Sequence, residues 1–240
     1  MSIRKFFWIL YWAFRFRVVK WLDFIRSYRI VEQAGLFDEE FYRENLAVKN
    51  SSRLDPVAHY LARGVKEGRN PHPLFDTAYY LKKYPDVAAS GVNPLAHYVT
   101  YGVQDGRNPH PLFDTAFYLR MNQEVDRMKL PPLIHYLERG AWEKRNPHPL
   151  FQSDYYLLSN PDVAASGVNP LVHYLRLGAR KGRNPHPLFD TGYYLKKYTD
   201  VAVSGMNPLV HYIEFGALEG KNPHPLFDTG YYLKKYPDVA

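Results

Sequence analysis

Residues 74–111 read LFDTAYYLKKYPDVAASGVNPLAHYVTYGVQDGRNPHP, and this stretch holds two helix starts, a turn and a connector. Asp76 stands where its carboxylate can cap a helix carrying Tyr79, Tyr80, Leu81 and Tyr84, by accepting an N–H that the first turn leaves free. Pro85 has no N–H and limits how far that helix runs. Gly91 allows a turn, and Asn93-Pro94 is a second start signal, since asparagine caps and proline suits the first helical position. Leu95, Tyr98, Val99 and Gly102 then recur at i, i+3, i+4 and i+7, which makes one apolar face and places a glycine where the helix can end. Gly106-Arg107-Asn108-Pro109-His110-Pro111 is too rich in proline for a helix or a central strand and is expected to be an extended connector. The stretch predicts helix, turn, helix, loop.

The same stretch recurs along the chain. Phe37, Phe75, Phe113, Phe151, Phe189 and Phe227 are spaced by 38 residues without an insertion, and so are His59, His97, His135, His173 and His211. A fixed period of this size marks a stacked array in which each copy buries its apolar face on its neighbours. The expected fold is therefore all-α: a solenoid-like tandem array of 38-residue helix-turn-helix repeats over residues 35–240, five full copies and a truncated sixth, behind an N-terminal amphipathic helix in residues 1–34. Pro56, Pro94, Pro132, Pro170 and Pro208 share the first-turn position, and Asp55, Asn93, Pro131, Asn169 and Asn207 precede them. The third copy has lost both its capping side chain and its turn glycine, with QEVDRMKLPP at 123–132, and a local shift of register is expected there.

A hydrophobic fraction of 46% with 21 Tyr and 14 Phe argues for a packed core and against disorder throughout. Cysteine is absent, which removes disulfides, thiolate metal sites and cysteine nucleophiles and fits a reducing compartment. The net charge of +7 is uneven: residues 1–34 hold seven basic side chains against Asp23 and Glu32, leaving only +2 for the other 206 residues. A basic arm on a nearly balanced body does not support nucleic-acid binding.

Within the arm, Phe6 to Phe14 (FFWILYWAF) is apolar and flanked by Arg4, Lys5, Arg15 and Arg17. It is too short to span a bilayer, which takes about 20 apolar residues. Extending it brings in Lys20 and Asp23, at roughly 2.5–3.5 kcal/mol per charge near the bilayer centre. Arg15-Phe16-Arg17-Val18 lacks the small residues of a signal-peptide cleavage site. Phe14, Val18, Trp21, Ile25 and Tyr28 fall on one helical stripe, so the arm is amphipathic. Phe6, Phe7, Trp8, Trp12, Phe14 and Trp21 are the candidate contacts with an anionic membrane surface, implying peripheral placement at the cytoplasmic side of the inner membrane. The competing readings are that the helix caps the first repeat or meets a partner protein.

Five histidines fall in the second predicted helix and five (His72, His110, His148, His186, His224) in the Asn-Pro-His-Pro loops. No helix carries a pair at i and i+4, so packing beside tyrosine and bonding of backbone carbonyls by the loop histidines are expected instead of a metal site. Arg69, Arg107, Arg145, Arg183 and Lys221 form a ladder of one cation per repeat. It could meet phosphate or an acidic glycan, or bond the carbonyls that end a helix. The Tyr79-Tyr80, Tyr155-Tyr156, Tyr193-Tyr194 and Tyr231-Tyr232 pairs suit a core, or stacking on sugar rings. The Asp-X-Asp pattern of metal-dependent sugar-nucleotide transferases, the Walker A loop, the nucleophile elbow and the dinucleotide glycine fingerprint are all missing. No catalytic, cofactor-binding or metal-binding residue is assigned.

The strings FDTGYYLKKYPDVA (227–240) and NPLVHYLRLGARKGRNPHPLFD (169–190) resemble repeats of bacterial cell-surface polysaccharide proteins. In those proteins such repeats accompany glycosyltransferase domains, including members of the rhamnan synthesis F family. The resemblance covers residues 35–240 and includes no catalytic signature. It implies a non-catalytic scaffold beside envelope-glycan synthesis, with a glycan or a glycosyltransferase as partner. The alternatives it leaves are the N-terminal part of a glycosyltransferase whose catalytic domain lies beyond residue 240, and a glycan-binding array. An array that stops in mid-repeat, at Ala240, reads as truncated.

Overall fold

The computed structural model describes residues 20–46, 55–128 and 130–236, so the apolar run 6–14 lies outside the described residues. The chain divides into two compact halves, residues 1–104 and 105–240, each built from the same repeat. Among the described residues helices are the regular elements, and extended pairing is confined to isolated bridges such as that of His110 with Phe113. The all-α tandem architecture is therefore present.

Each complete repeat of the series that begins at Leu74 has three helices where two were expected. In residues 74–111 they are Thr77–Lys83, Pro85–Ser90 and Pro94–His97. Asp76 caps the first, accepting the Tyr79 N–H at 2.9 Å, and Asp38, Asp114, Asp190 and Asp228 do the same in other copies. The stretch read as a turn after Pro85 is itself helical. Proline ends the first helix and also starts the next, since its missing N–H costs nothing at the first position. Gly91, at φ 69°, ends this short second helix, and Val87 anchors it in the core.

The third helix ends at Gly102, as the glycine predicts, but its second half is not α-helical. From Tyr98 its turns widen, and the Val103 N–H donates to the Tyr98 carbonyl five residues back at 2.9 Å. The same π-type bond forms at Val65, Ala141, Ala179 and Ala217. A turn of four residues follows, closed by a second glycine. In the fifth repeat Gly220, at φ 69°, donates to the Ala217 carbonyl at 3.1 Å and Lys221 to the Gly216 carbonyl at 2.8 Å. These two bonds form a Schellman closure.

In the third repeat the second helix shrinks to Gln123–Arg127 and Pro131 supplies no cap, whereas Asp55, Asn93, Asn169 and Asn207 all cap as expected. The expected register shift is absent. Val125 is as buried as Val87, and the Leu130 N–H reaches its carbonyl at 3.2 Å, closing the turn that glycine makes elsewhere. The core of each repeat is a cluster of three rings: Phe113, Tyr118 and Tyr136 have centroids 5.4–5.9 Å apart, and the two tyrosines meet edge to face at 84°. Such contacts add about 0.5–1.5 kcal/mol beyond area burial.

Lys144 occupies the left-handed slot (φ 60°) that glycine fills in other repeats. A side chain there costs about 1–2 kcal/mol, while its exposed ion pair with Asp154, at 2.6 Å, returns about 0.2–1 kcal/mol. Lys144→Gly is expected to raise stability by about 0.5–1 kcal/mol in urea denaturation; a lowered midpoint would contradict this balance.

Candidate functional site

The second tyrosine of each pair points inward, and Tyr80, Tyr118, Tyr156 and Tyr194 are fully covered. A buried hydroxyl needs a partner. It finds one 17 residues on, at Nδ1 of the third-helix histidine: Tyr118 with His135 at 2.9 Å, Tyr156 with His173 at 2.8 Å and Tyr194 with His211 at 2.9 Å. Tyr42 with His59 and Tyr80 with His97 repeat the bond at 2.8 and 3.1 Å. The hydroxyl occupies the space left by a glycine. A Cβ on Gly178 would stand 2.0 Å from the Tyr156 oxygen, and the other four glycines of this position are as close, at 2.1–2.4 Å. Gly102 and its equivalents therefore end the third helix and also make room for this hydroxyl.

Burial pushes His135, His173 and His211 below their ordinary value of 6.5. It raises Tyr42 to about 12 and Tyr118, Tyr156 and Tyr194 further. In the Tyr118–His135, Tyr156–His173 and Tyr194–His211 pairs both partners are thus uncharged at neutral pH.

The loop histidines bond the backbone through Nδ1, each taking an N–H two residues on. His72 Nδ1 accepts the Leu74 N–H at 2.9 Å, and His110, His148, His186 and His224 accept from Leu112, Leu150, Leu188 and Leu226. The flanking prolines carry no N–H, and the one after them turns onto the ring. Asn70 accepts the Thr77 N–H at 2.9 Å and the Thr77 hydroxyl donates to the Arg69 carbonyl at 2.7 Å, which fixes the connector.

The cation ladder is engaged along its length. Arg183 grips Asp162 through two bonds of 2.9 and 2.7 Å, and Lys221 reaches Asp200 at 3.0 Å and Glu219 at 3.3 Å. Arg145 bonds Glu124 and Glu143, and Arg107 bonds Asp105 at 3.2 Å. Arg69 shows the helix-end bond anticipated for the series, to the Asn45 carbonyl at 2.7 Å, alongside Glu67. In the third to fifth repeats the acid lies in the first turn of the second helix, 21 residues before its cation. A repeat read as only two helices hides that partner, because the helix carrying it, Pro161–Ser166 in the fourth copy, has no place in that pattern. Likewise the Tyr-to-His offset of 17 was visible as a constant, without a geometry to give it meaning.

Residues 20–33 are helical. Val31 is buried, and the Tyr28 hydroxyl donates to Asp55 at 2.7 Å, the residue that caps the third helix of the first repeat. The end of the arm thus caps the array, while Trp21 remains 61% exposed. Phe6, Phe7, Trp8, Trp12 and Phe14 lie outside the described residues. Beside the arm runs a groove of about 740 Å³ with Phe24, Ile30, Leu61, Val65 and Tyr101 in its walls. Among the described residues no group of three His, Asp or Glu side chains could hold a metal ion, and no helix is long and apolar enough to cross a membrane.

No family model, curated protein or solved structure matches this chain. The functional reading therefore rests on these residues and on the resemblance of the repeat motif.

Two outcomes test the site. A histidine held below 6.5 binds fewer protons in the fold than in the unfolded chain, so its contribution is full above 6.5 and is lost as pH falls toward the folded value, about 4 for His72. The raised tyrosines lose theirs above pH 10. The urea midpoint should therefore fall on both sides of this window, and a midpoint flat from pH 7.5 to 5 would remove the argument. Gly178→Ala gains about 1 kcal/mol of helix propensity but meets a fixed hydroxyl, which costs about 1–3 kcal/mol. It should be net destabilising, and Tyr156→Phe in the same chain should offset part of the loss in a double-mutant cycle.

Proposed function

We propose that the repeats form a non-catalytic scaffold for bacterial cell-envelope polysaccharide synthesis, held at the cytoplasmic face of the inner membrane by the N-terminal arm. The observation that carries this reading is the mutual consumption of the repeated polar groups. Tyrosine is bonded to histidine and Arg145, Arg183 and Lys221 to carboxylates, so the residues that recur are the ones that build the array. A preorganised transfer site needs cations or carboxylates converging on one point and free to receive a ligand. Here they recur singly, each with a partner. The link to polysaccharide comes from the motif pattern YYL, PDV, NPL, HY and GRNPHPLFD. The same pattern favours the second reading, in which these residues are the N-terminal part of a glycosyltransferase and serve its catalytic domain as this scaffold.

Membrane attachment is supported by the basic, tryptophan-rich composition of residues 1–34 and by exposed Trp21 and Leu22 at the start of the described helix. The full chain should sediment with phosphatidylglycerol-containing vesicles at low salt and release as salt rises, because the arginine and lysine attraction is screened. Equal partition of the full chain and a chain lacking residues 1–34 would defeat the tether. Calorimetry with sugar nucleotides should give no saturable heat; a stoichiometric complex abolished by Arg183→Ala would restore the enzyme reading.

A further inference from the structure

The joint between the third and fourth repeats departs from its neighbours at three positions together. Where Gly106, Gly182 and Gly220 close the turn after the third helix, Lys144 does so at φ 60°, a left-handed conformation that strains a residue with a side chain. Where Asp114, Asp190 and Asp228 cap the first helix of a repeat, Gln152 makes no cap bond, and its amide meets His186 Nε2 at 3.0 Å instead. Where Ala116, Gly192 and Gly230 stand in the first turn of that helix, the fourth repeat has Asp154, and Lys144 reaches it at 2.6 Å.

The three changes fit one another. The acid stands two residues further on, where it no longer takes a backbone N–H of the helix start, and lysine in place of glycine supplies its counter-charge. Arg145, Arg183 and Lys221 pair with acids of their own repeats, whereas Lys144–Asp154 crosses from one repeat into the next. Both of its side chains are half exposed, at 53% and 52%, so dissolved salt screens the attraction. We propose that this joint is a charge-dependent hinge, held closed by Lys144 and Asp154 and loosened when that pair is screened or neutralised. Opening also releases the strained turn, which adds to the tendency to part there. The joint between the fourth and fifth repeats has glycine at 182 and a cap in which Asp190 accepts the Tyr193 N–H at 2.8 Å, so its closure does not depend on such a pair. This inference is independent of the scaffold reading.

The test is amide hydrogen exchange of the full chain, read by NMR from about 0.01 M to about 1 M sodium chloride, over which the screening length falls from about 30 to about 3 Å. The Arg145 and Tyr156 N–H groups, which donate to the Gly140 and Gln152 carbonyls at 2.8 and 2.9 Å, report on the hinge, and Arg183 and Tyr194 make the same bonds one repeat on. Protection of the first two should fall about two- to fivefold relative to the second two as salt rises, which is the reach of an exposed ion pair. Lys144→Gly and Asp154→Ala each install a residue that another repeat carries at that position, so the fold tolerates them, and each should abolish the salt-dependent difference. A ratio between the two joints that does not change with salt would overturn the proposal. So would a salt dependence that survives either substitution, which would trace it to the Arg145 and Arg183 pairs.

Discussion

A tyrosine hydroxyl buried without a partner costs about 1–3 kcal/mol, and the first-helix tyrosine buried in each complete repeat escapes that cost through a histidine. Satisfying it takes an acceptor and an empty volume at the same point. Histidine provides the first and glycine the second, five residues apart on one helix, and the tyrosine must arrive from the other. That requirement sets where the first and third helices cross. The proline start and its Asn or Asp cap fix the phase of the third helix, so that histidine lies one turn in. The widened turns begin at the residue after histidine and run to the glycine, in every copy. Wide turns of this kind are rare and often mark functional sites. Recurring five times at one contact, they belong here to the crossing itself.

The recurring residues build the array, while the exposed positions differ between copies. Exposed apolar side chains of the third helix and its last turn include Tyr101, Trp142, Leu177, Phe215 and Leu218. At the position of Trp142 the other repeats carry Lys66, Gln104, Arg180 and Leu218. The interior is thus repeated from copy to copy while the exterior varies.

Much of this architecture was legible in the residues. The period, the Asp76 and Asn93 caps, the proline starts and the core role of Tyr80 all follow from local rules that need no knowledge of distant contacts. What escaped had two causes. Pro85 was read only as a terminator, although proline is as good a start as a stop, and missing that helix hid Asp162 and Asp200 as partners of the cation ladder. Gly102 ends its helix as local rules predict; the tyrosine hydroxyl that also requires a glycine there comes from another helix, and no pattern within a single helix reports such a contact. The third repeat misled in the other direction: losing a cap and a glycine looked disruptive, yet the single buried Val125 was enough to hold the register.

The distances along the chain between bonded partners have a further meaning. Tyr to His spans 17 residues, Arg or Lys to its acid 21, Thr to Asn 7, and Asp114 reaches Pro147 within one repeat. The bonds that leave a repeat, such as Tyr60 to Thr77, end in the first turn of the next. At about 5–20 residues per second of synthesis, a repeat takes roughly 2–8 s to emerge from the ribosome, whereas helices form in about a microsecond or less. Each repeat can therefore complete its polar core while its successor is still being translated, and the aromatic clusters need never wait in the open for a partner from the far end of the chain.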